Sequence, residues 1–275
     1  MPVRCLLPLL IIAHSSLHAE FAPSFYPFEN GVKYASVAEG AAELRAMGHE
    51  GVGSVHPNVL PEFLKECDAA GLKVFSIYVG GKVGAESYAY DASVTQAIRM
   101  LKGRDALVEL YLQQGKGAND AQAVAFVKEI AAEAGKNGLR VVLYPHSNFY
   151  VDTIGDAVRV AKVSGCRNVG VAFNLCHFLK VEPQSDLRKT LEDAKPLLWS
   201  VSTCGAEVGG ADWSKLIQPL DVGSYDQATL LKHLREIGYE GNVGLQCYAL
   251  KAPSKEHLRR SLAAWKELLA ASVEK

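Results

Sequence analysis

The sequence lacks an excess of charge of either sign. Its 275 residues include 29 Lys and Arg and 30 Asp and Glu, for a formal net charge of -1 at pH 7. No basic cluster interleaved with aromatic residues is found along the chain. Proteins that bind nucleic acids need a positive surface to neutralise phosphates. We therefore expect no nucleic-acid partner.

Apolar runs long enough to span a bilayer are also missing, since a membrane helix takes roughly 20 residues. The run Leu6–Ala13 is short, follows Arg4 and precedes a small-residue cleavage pattern that ends at Ala19. This order is typical of an export signal. We expect residues 1–19 to be a signal peptide, residues 20–275 to be the mature domain, and the protein to be periplasmic or extracellular, with no stable membrane insertion. A buried N-terminal strand or helix is the alternative.

Cysteine is present but without a pattern. Six cysteines occur, none in a CxxC pair, and five remain if Cys5 leaves with the signal. This excludes a zinc motif of that type and a dense disulfide framework. Cys176, Cys204 and Cys247 each follow an apolar run, so we expect small buried residues at the ends of strands.

Eight short apolar segments bounded by Gly, Asn or Pro are typical of buried strands. The predicted strands are Phe21–Phe28, Gly51–Val55, Lys73–Val79, Ala106–Leu112, Leu139–Leu143, Val169–Phe173, Leu197–Thr203 and Val243–Cys247. Helical spacing predicts the intervening helices Ser36–Met47, Leu60–Ala70, Ala92–Leu101, Ala121–Gly135, Asp152–Val163, Leu187–Ala194, Gln227–Ile237 and Glu256–Leu269.

Strands and helices therefore alternate at near-even spacing over a length that suits one barrel of about 250 residues. We predict an α/β protein with a single (β/α)8 TIM barrel. A doubly wound sheet is the alternative, because the sequence does not show whether the first strand meets the eighth. The glycine-rich Gly80–Gly84 has neither Walker nor GxGxxG spacing, so we interpret it as a plain connection.

Polar residues follow the predicted strands, and the stretch Leu139–His177 shows this twice. Parallel strands with helical crossovers collect functional side chains at their carboxyl ends. The predicted rim comprises His56, Glu109, Tyr144, His146, Asn174, His177, Ser202, Cys204, Gln246 and Tyr248. Trp213, in the long loop 206–224, is a candidate platform for a sugar ring.

Two types of chemistry fit this rim. Imidazole and amide oxygens from His146, His177, Asn174 and Gln246 can bind a divalent metal such as Mn, Zn or Mg. The shortage of carboxylates at the strand ends argues against a tight metal site. Glu109 is the one carboxylate predicted there, and it is either a proton carrier or a partner in a buried ion pair.

Four motifs in the second half of the chain resemble those of the xylose isomerase-like TIM barrels. They are NLCH at 174–177, LWSVST at 198–203, PLDVGSYD at 219–226 and GYEGNVGLQ at 238–246. The superfamily includes sugar phosphate isomerases and epimerases, ketose 3-epimerases, inosose dehydratases and endonuclease IV type DNA-repair enzymes. The resemblance runs from about Ser36 to the C-terminus, and among the branches the exported isomerase/epimerase-like proteins are the most similar.

The resemblance also shows where this chain departs from the family. Family enzymes hold a divalent ion with a glutamate after strand five, the aspartate of a DxxH motif, a histidine after strand seven and a glutamate after strand eight. The chain keeps only His177, and the other positions hold Tyr144 or His146, Asn174, Ser202 and Gln246. Since the two glutamates also move the substrate proton in the epimerases, their two-glutamate mechanism does not carry over.

We therefore predict a sugar or keto-sugar isomerase or epimerase with an altered metal site and a small-molecule sugar substrate. The alternatives are a carbohydrate-binding barrel without catalysis and a metal-independent lyase; a repair nuclease is excluded by charge and by the missing carboxylates. The predicted catalytic residues are Glu109, Tyr144 and His146. The predicted substrate contacts are His56, Asn174, Ser202, Gln246 and Trp213.

Overall fold

The computed structural model describes residues 21–273, so the predicted signal peptide lies outside the described residues. The strands are β1 Phe25–Pro27, β2 Gly51–Val52, β3 Lys73–Val74, β4 Ser76–Val83, β5 Tyr88–Tyr90, β6 Leu107–Gln114, β7 Arg140–Leu143, β8 Val169–Asn174, β9 Leu198–Thr203 and β10 Val243–Leu245. The helices are α1 Val37–Met47, α2 Leu60–Ala70, α3 Ser93–Met100, α4 Asp120–Lys136, α5 Ile154–Ser164, α6 Leu175–Val181, α7 Leu187–Ala194, α8 Trp213–Leu216, α9 Gln227–Glu236 and α10 Ser254–Val273.

The first strand meets the last one, which decides between the two predicted topologies. β1 pairs in parallel with β10, and the sheet continues in the order β10, β9, β8, β7, β6 and β4. The residues just after β2 connect β1 and β4 through single parallel bridges, Phe28 with Gly53 and Val55 with Ile77. The chain therefore adopts the predicted TIM barrel, and the doubly wound alternative is excluded.

Helix boundaries follow ordinary capping chemistry. The Ser36 side chain accepts a hydrogen bond from the Glu39 amide, as expected of an N-cap. Thr153 and Asp156 form a reciprocal capping box at the start of α5. This cap fixes where the chain enters α5 after the loop that follows β7. It therefore helps to hold the site described below.

The interpretation of Gly80–Gly84 as a plain connection is wrong. β4 continues through these glycines to Val83 and forms an antiparallel hairpin with β5. A Cβ atom added at Gly80 would lie 2.2 Å from the Tyr111 carbonyl oxygen, and one at Gly81 would lie 2.4 Å from the Ala89 carbonyl oxygen. The glycines allow neighbouring backbones to approach closely. Helix α6 and hairpin strand β5 were not predicted, and the short helix α8 lies within the segment 206–224 that was predicted as a loop.

Aromatic side chains make up most of the cluster inside the barrel, where branched aliphatic ones are usual, and Val142 and Ala172 complete it. Tyr26 stacks on Phe75 with ring centroids 4.3 Å apart, and Phe28 packs in the same inner cluster. A Cβ atom added at Gly53 would lie 2.2 Å from the Tyr26 ring, and one at Gly244 would lie 2.3 Å from the Phe28 ring. These rings close the barrel below the site.

No helix in residues 21–273 combines the length and the apolar character needed to cross a bilayer.

Candidate active site

A cavity of about 370 Å³ opens at the carboxyl ends of the barrel strands. Its residues come from almost every strand end around the ring, as expected for a TIM barrel site. The lining consists of Glu29, Asn30, Ser54, His56, Tyr78, Tyr144, His146, His177, Trp213, Ile217, Gln246 and Tyr248.

Two histidines form the wall that follows β7 and β8. The rings of His146 and His177 lie 4.2 Å apart between centroids, and Phe149 stacks on His146 at 3.9 Å. The ring of Trp213 meets His177 edge-on at 5.1 Å. Aromatic groups thus pack against both imidazoles and contribute to their burial.

Ser147 connects these two rings through its backbone. The Nδ1 atom of His146 lies 3.0 Å from the Ser147 carbonyl oxygen. The Ser147 amide donates to Nδ1 of His177 at 3.2 Å. The carbonyl group of Ser147 therefore orients the His146 ring, and the amide group of Ser147 orients the His177 ring.

Burial keeps the histidine wall neutral. It lowers the pKa of His177 to about 3, and the neighbouring His146 adds to this effect. Burial also lowers the pKa of His146, although the Ser147 carbonyl partly opposes the shift. Desolvation disfavours the charged form of imidazole, so neither ring carries a charge at neutral pH.

Tyr144 organises the pocket floor. Its hydroxyl accepts hydrogen bonds from the side-chain amides of Asn174 and of Gln246, the latter at 3.3 Å. The Gln246 Oε1 atom accepts from Asn30 Nδ2 at 3.1 Å and from the Tyr248 amide at 2.9 Å. Burial raises the pKa of Tyr144 well above its ordinary value, so the phenol stays protonated.

The predicted metal ligands meet around this floor, but their donor atoms do not fit a divalent ion. The oxygen of Gln246 is already engaged, and Asn174 Oδ1 accepts from the Cys176 thiol at 3.0 Å. Within residues 21–273, no three His, Cys, Asp or Glu side chains are grouped so that they could hold a metal. Two neutral imidazoles remain, without a carboxylate to offset the charge of the ion.

A different wall, following β1 and β2, carries the predicted His56 and one ionisable group that sequence reasoning missed, Glu29. Glu29 lies in the turn directly after β1, and burial raises its pKa while His56 and Lys33 oppose the shift. His56 accepts a hydrogen bond at Nδ1 from the Asn58 amide at 3.4 Å. The Oδ1 atom of Asn30 is buried and has no protein partner in the described structure.

Glu29 could have been found from the sequence by the rule that selected His56. Polar residues at strand ends were chosen as candidates, and Glu29 and Asn30 directly follow β1. The run Phe21–Phe28 was predicted as the first strand, but because it is broken by prolines the residues after it were not predicted as site residues. Ser54, Tyr78 and Ile217 were missed as well, and they carry no comparable sequence signal.

Glu109 lies deeper than predicted. It is fully buried, its Oε1 accepts from the Ser76 hydroxyl at 2.9 Å, and its Oε2 has no hydrogen-bond partner among residues 21–273. The sequence places Glu109 at the rim, whereas in the structure it lies within β6 and is not among the residues that line the cavity. Burial raises the pKa of Glu109 to about 7, while the hydroxyls of Ser54 and Ser76 oppose the shift.

The other predicted site residues fall into two groups, those that line the pocket and those that are buried beneath it. Seven of them line the pocket, namely His56, Tyr144, His146, His177, Trp213, Gln246 and Tyr248. Asn174 and Ser202 are buried beneath it, and the Ser202 hydroxyl has no partner in the described part of the chain. Cys176, Cys204 and Cys247 are free, buried thiols, as expected.

The family model for the xylose isomerase-like TIM barrel matches residues 41–268. A search of curated protein sequences gave no match. Among solved structures, a 3-keto-D-glucoside 4-epimerase from E. coli aligns over 90% of this chain and 100% of its own, with a TM-score of 0.68 and 16% identity.

Two further structures are similar. A D-psicose 3-epimerase from Clostridium cellulolyticum, solved with D-tagatose, covers 90% of this chain and 99% of its own at a TM-score of 0.67 and 14% identity. A zinc-bound IolI protein covers 90% of this chain and 99% of its own, with a TM-score of 0.69 and 14% identity. Identities this low show a shared fold. The family match, which spans most of the chain, shows more: this protein belongs to the xylose isomerase-like TIM barrel family.

Proposed function

We propose that the protein is an isomerase or epimerase that moves a proton on the carbon next to the carbonyl of a sugar or keto-sugar. The observation that carries this proposal is the placement of Glu29 and His146 in one pocket, on strands opposite each other in the barrel. Family membership and the sugar epimerases among the structures with the same fold support the substrate class.

The opposed placement follows from the order of the strands. Glu29 follows β1, the first barrel strand, and His146 follows β7, the fifth of eight. A substrate bound between them therefore meets one proton-transferring group on each side. Epimerisation needs this arrangement, because a proton leaves one face of the carbon and returns to the other.

The proposed reaction has two steps. One group removes the proton next to the carbonyl, and the electron pair of the broken C–H bond forms an enediolate whose negative charge lies on the former carbonyl oxygen. The group on the opposite wall then donates a proton to the other face. Glu29 with its raised pKa and the neutral His146 can each serve as base in one direction and, once protonated, as acid in the reverse direction.

The rest of the pocket suits a polyhydroxylated ring. Tyr78, Trp213 and Tyr248 offer aromatic faces for the C–H side of a sugar. His56, Asn30 and Gln246 can exchange hydrogen bonds with hydroxyls. The protonated Tyr144 is proposed as a hydrogen-bond donor rather than as a base, while Asn174 and Ser202 support the floor.

The proposed proton transfers use only side chains of this chain. A zinc-bound protein shares the fold. Here, however, metal binding by His146, His177, Asn174 and Gln246 would break the hydrogen bonds that order the floor. It would also bring together an ion and four neutral ligands.

Deuterium exchange would test the proposal. We would incubate the mature protein, residues 20–275, in D2O with keto-sugars that include D-psicose and a 3-keto-D-glucoside, and follow the carbon next to the carbonyl by NMR. We expect exchange and a new epimer or isomer, both lost in Glu29→Gln and in His146→Gln. The exposed Glu62→Gln serves as the matched control and should keep full activity.

Each other outcome would overturn the proposal in a defined way. Loss of water from the substrate would identify a lyase. Binding by thermal shift without exchange on any sugar would identify a carbohydrate-binding barrel. Activity that EDTA abolishes and Mn²⁺ restores would show that the metal-free mechanism is wrong.

A further inference from the structure

We infer that the backbone of Ser147 holds His146 and His177 in opposite neutral tautomers, so that His146 presents a proton-accepting nitrogen to the pocket and His177 presents an N–H donor. The assignment of tautomers needs only hydrogen-bond geometry. The roles of the two nitrogens in proton transfer rest on the proposed function.

The first half of the argument concerns His146. A carbonyl oxygen only accepts hydrogen bonds, so the contact of 3.0 Å between His146 Nδ1 and the Ser147 oxygen requires a proton on Nδ1. The neutral ring then carries a lone pair on Nε2. His146 is therefore set as an acceptor.

The second half concerns His177, and the same reasoning has the opposite result. A backbone N–H only donates, so Nδ1 of His177 must be unprotonated to accept from the Ser147 amide at 3.2 Å. The neutral ring then carries its proton on Nε2. His177 is therefore set as a donor.

Both Nε2 atoms face the pocket. Each ring lines the cavity, and neither Nε2 atom makes a hydrogen bond to residues 21–273 or belongs to the buried polar atoms that lack a partner there. The two rings lie 4.2 Å apart, so one substrate can contact both. A carbonyl group and its adjacent C–H need such a donor and acceptor side by side.

The two tautomers also differ in what they permit during a reaction. When His146 takes a proton at Nε2, Nδ1 keeps its hydrogen bond to the Ser147 oxygen, so this contact supports the imidazolium. His177 cannot gain a proton at Nδ1 without losing its bond to the Ser147 amide. It therefore donates a hydrogen bond to the developing enediolate oxygen without changing charge, a role that neutral imidazole can fill.

The same geometry separates these histidines from a family metal site. A histidine that binds a metal donates its other ring N–H to an acceptor and offers a free lone pair. His146 satisfies this condition. In His177 one nitrogen already accepts a hydrogen bond and the other carries a proton, so the ring offers no free lone pair to a metal.

The test is the ring-nitrogen NMR spectrum of the mature protein labelled with 15N-histidine, at neutral pH and without substrate. Protonated and unprotonated ring nitrogens have well separated chemical shifts. We expect the proton on Nδ1 in His146 and on Nε2 in His177. The same tautomer in both rings, or a doubly protonated ring, would overturn the inference.

Assignment and controls use variants that the structure suggests. His146→Gln and His177→Gln identify the two signals; should either fail to fold, proximity of His146 to Phe149 assigns them in the native protein. Ser147→Ala is the matched control. It removes only a hydroxyl that accepts from Asn148 and keeps the peptide groups, so both tautomers should persist.

Zinc and turnover provide two further readouts. With one equivalent of Zn²⁺, the Nε2–H signal of His177 should remain; its loss together with shifts in both rings would show a shared metal site and contradict the inference. On a substrate that is turned over, His177→Leu should lower kcat roughly 100-fold, and His177→Gln, which keeps an N–H donor, should recover part of it. If no sugar reacts, the proposed function fails while the NMR result still decides the tautomers.

Discussion

Two carboxylates in this barrel lie in regions that differ in access rather than in chemistry. Glu29 lines the pocket in the turn after β1, whereas Glu109 lies within β6 in the closed interior. Burial raises the pKa of both. A raised pKa therefore does not distinguish the catalytic candidate from the structural carboxylate. Their positions relative to the strand ends do.

The different positions of Glu29 and Glu109 show that the alternation of a strand does not reveal how deep a side chain lies in the barrel. Glu109 lies on the inner face of the barrel, where it accepts a hydrogen bond from Ser76, but the inner face of a strand runs along its full length. Glu109 pairs with Val142, two residues before Tyr144 of the pocket floor, and is fully buried beneath that floor. Glu29 directly follows its strand and so reaches the pocket.

Removing the pocket carboxylate should have the largest effect. We expect Glu29→Gln to lower kcat by about 10²-fold to 10⁴-fold, the usual contribution of a general base, with little change in the free energy of unfolding. Because burial raises the pKa of Glu29, the acidic limb of the native pH profile should lie above the ordinary glutamate range. Steady-state kinetics across pH would check both.

The matched measurement is Glu109→Gln, which should leave kcat largely unchanged. A loss of activity equal to that of Glu29→Gln would erase the contrast between the two regions. It would also support the prediction that Glu109 is a proton carrier.

The second effect of Glu109→Gln concerns stability and pH. The folded protein holds the Glu109 proton up to a pKa of about 7, while the unfolded chain releases it near the ordinary value of 4.5. The unfolded state thus binds fewer protons in this window, so this residue lowers stability by about 3 kcal/mol as pH rises from 4.5 to 7. Glu109→Gln should remove that loss.

Urea unfolding of the native protein and of Glu109→Gln at several pH values between 4.5 and 8 would measure this pH-dependent loss of stability. The advantage of the glutamine variant should grow up to about pH 7 and then stay constant. Parallel stability curves for the two proteins would show that Glu109 does not titrate differently in the folded state.

Tyr144→Phe should have a smaller effect, which is on stability. Tyr144 lies in the pocket floor, between the pocket that Glu29 lines and the interior that holds Glu109. The hydroxyl accepts from the amides of Asn174 and Gln246, so its loss leaves two buried donors without their acceptor. We expect a loss of about 2 kcal/mol in the free energy of unfolding. Tyr248→Phe, which changes an exposed ring, is the matched control for stability by urea titration; equal values for both would contradict the floor network.

Trp213→Ala should give the smallest effect and only at the pocket. The ring meets His177 edge-on and lies 5.6 Å from the Lys180 ammonium group, so its removal takes away an aromatic face for the sugar. We expect KM to rise roughly fivefold with kcat little changed. A fall in kcat instead would show that Trp213 positions His177 for the reaction.

Much of the fold was predictable from local patterns. Runs such as Val169–Phe173 are β-branched, short and bounded by turn residues, so they identify buried strands without tertiary information. Gly80 and Gly81 misled the prediction because their conformation is set by neighbouring backbones rather than by local preference. Helix α6 was missed because a strand runs directly into it at Asn174.

The site was predictable where a side chain follows a well-marked strand. His146 and His177 were found in this way, and their hydrogen bonds to Ser147 were not, because backbone contacts across a loop leave no trace in composition. Glu29 was missed although the first strand was predicted to end at Phe28, because that aromatic, proline-broken run lacks the regular pattern of the other strands. Heights along strands and contacts between loops required the folded chain.

The aromatic rings in the barrel interior also limit how this sequence can change. Gly53 and Gly244 leave the space that Tyr26 and Phe28 occupy. A larger residue at either glycine is tolerated only if the facing ring becomes smaller, and a smaller ring alone opens a void. Each glycine and the ring that faces it are therefore coupled, and we expect the two positions to covary among homologous sequences.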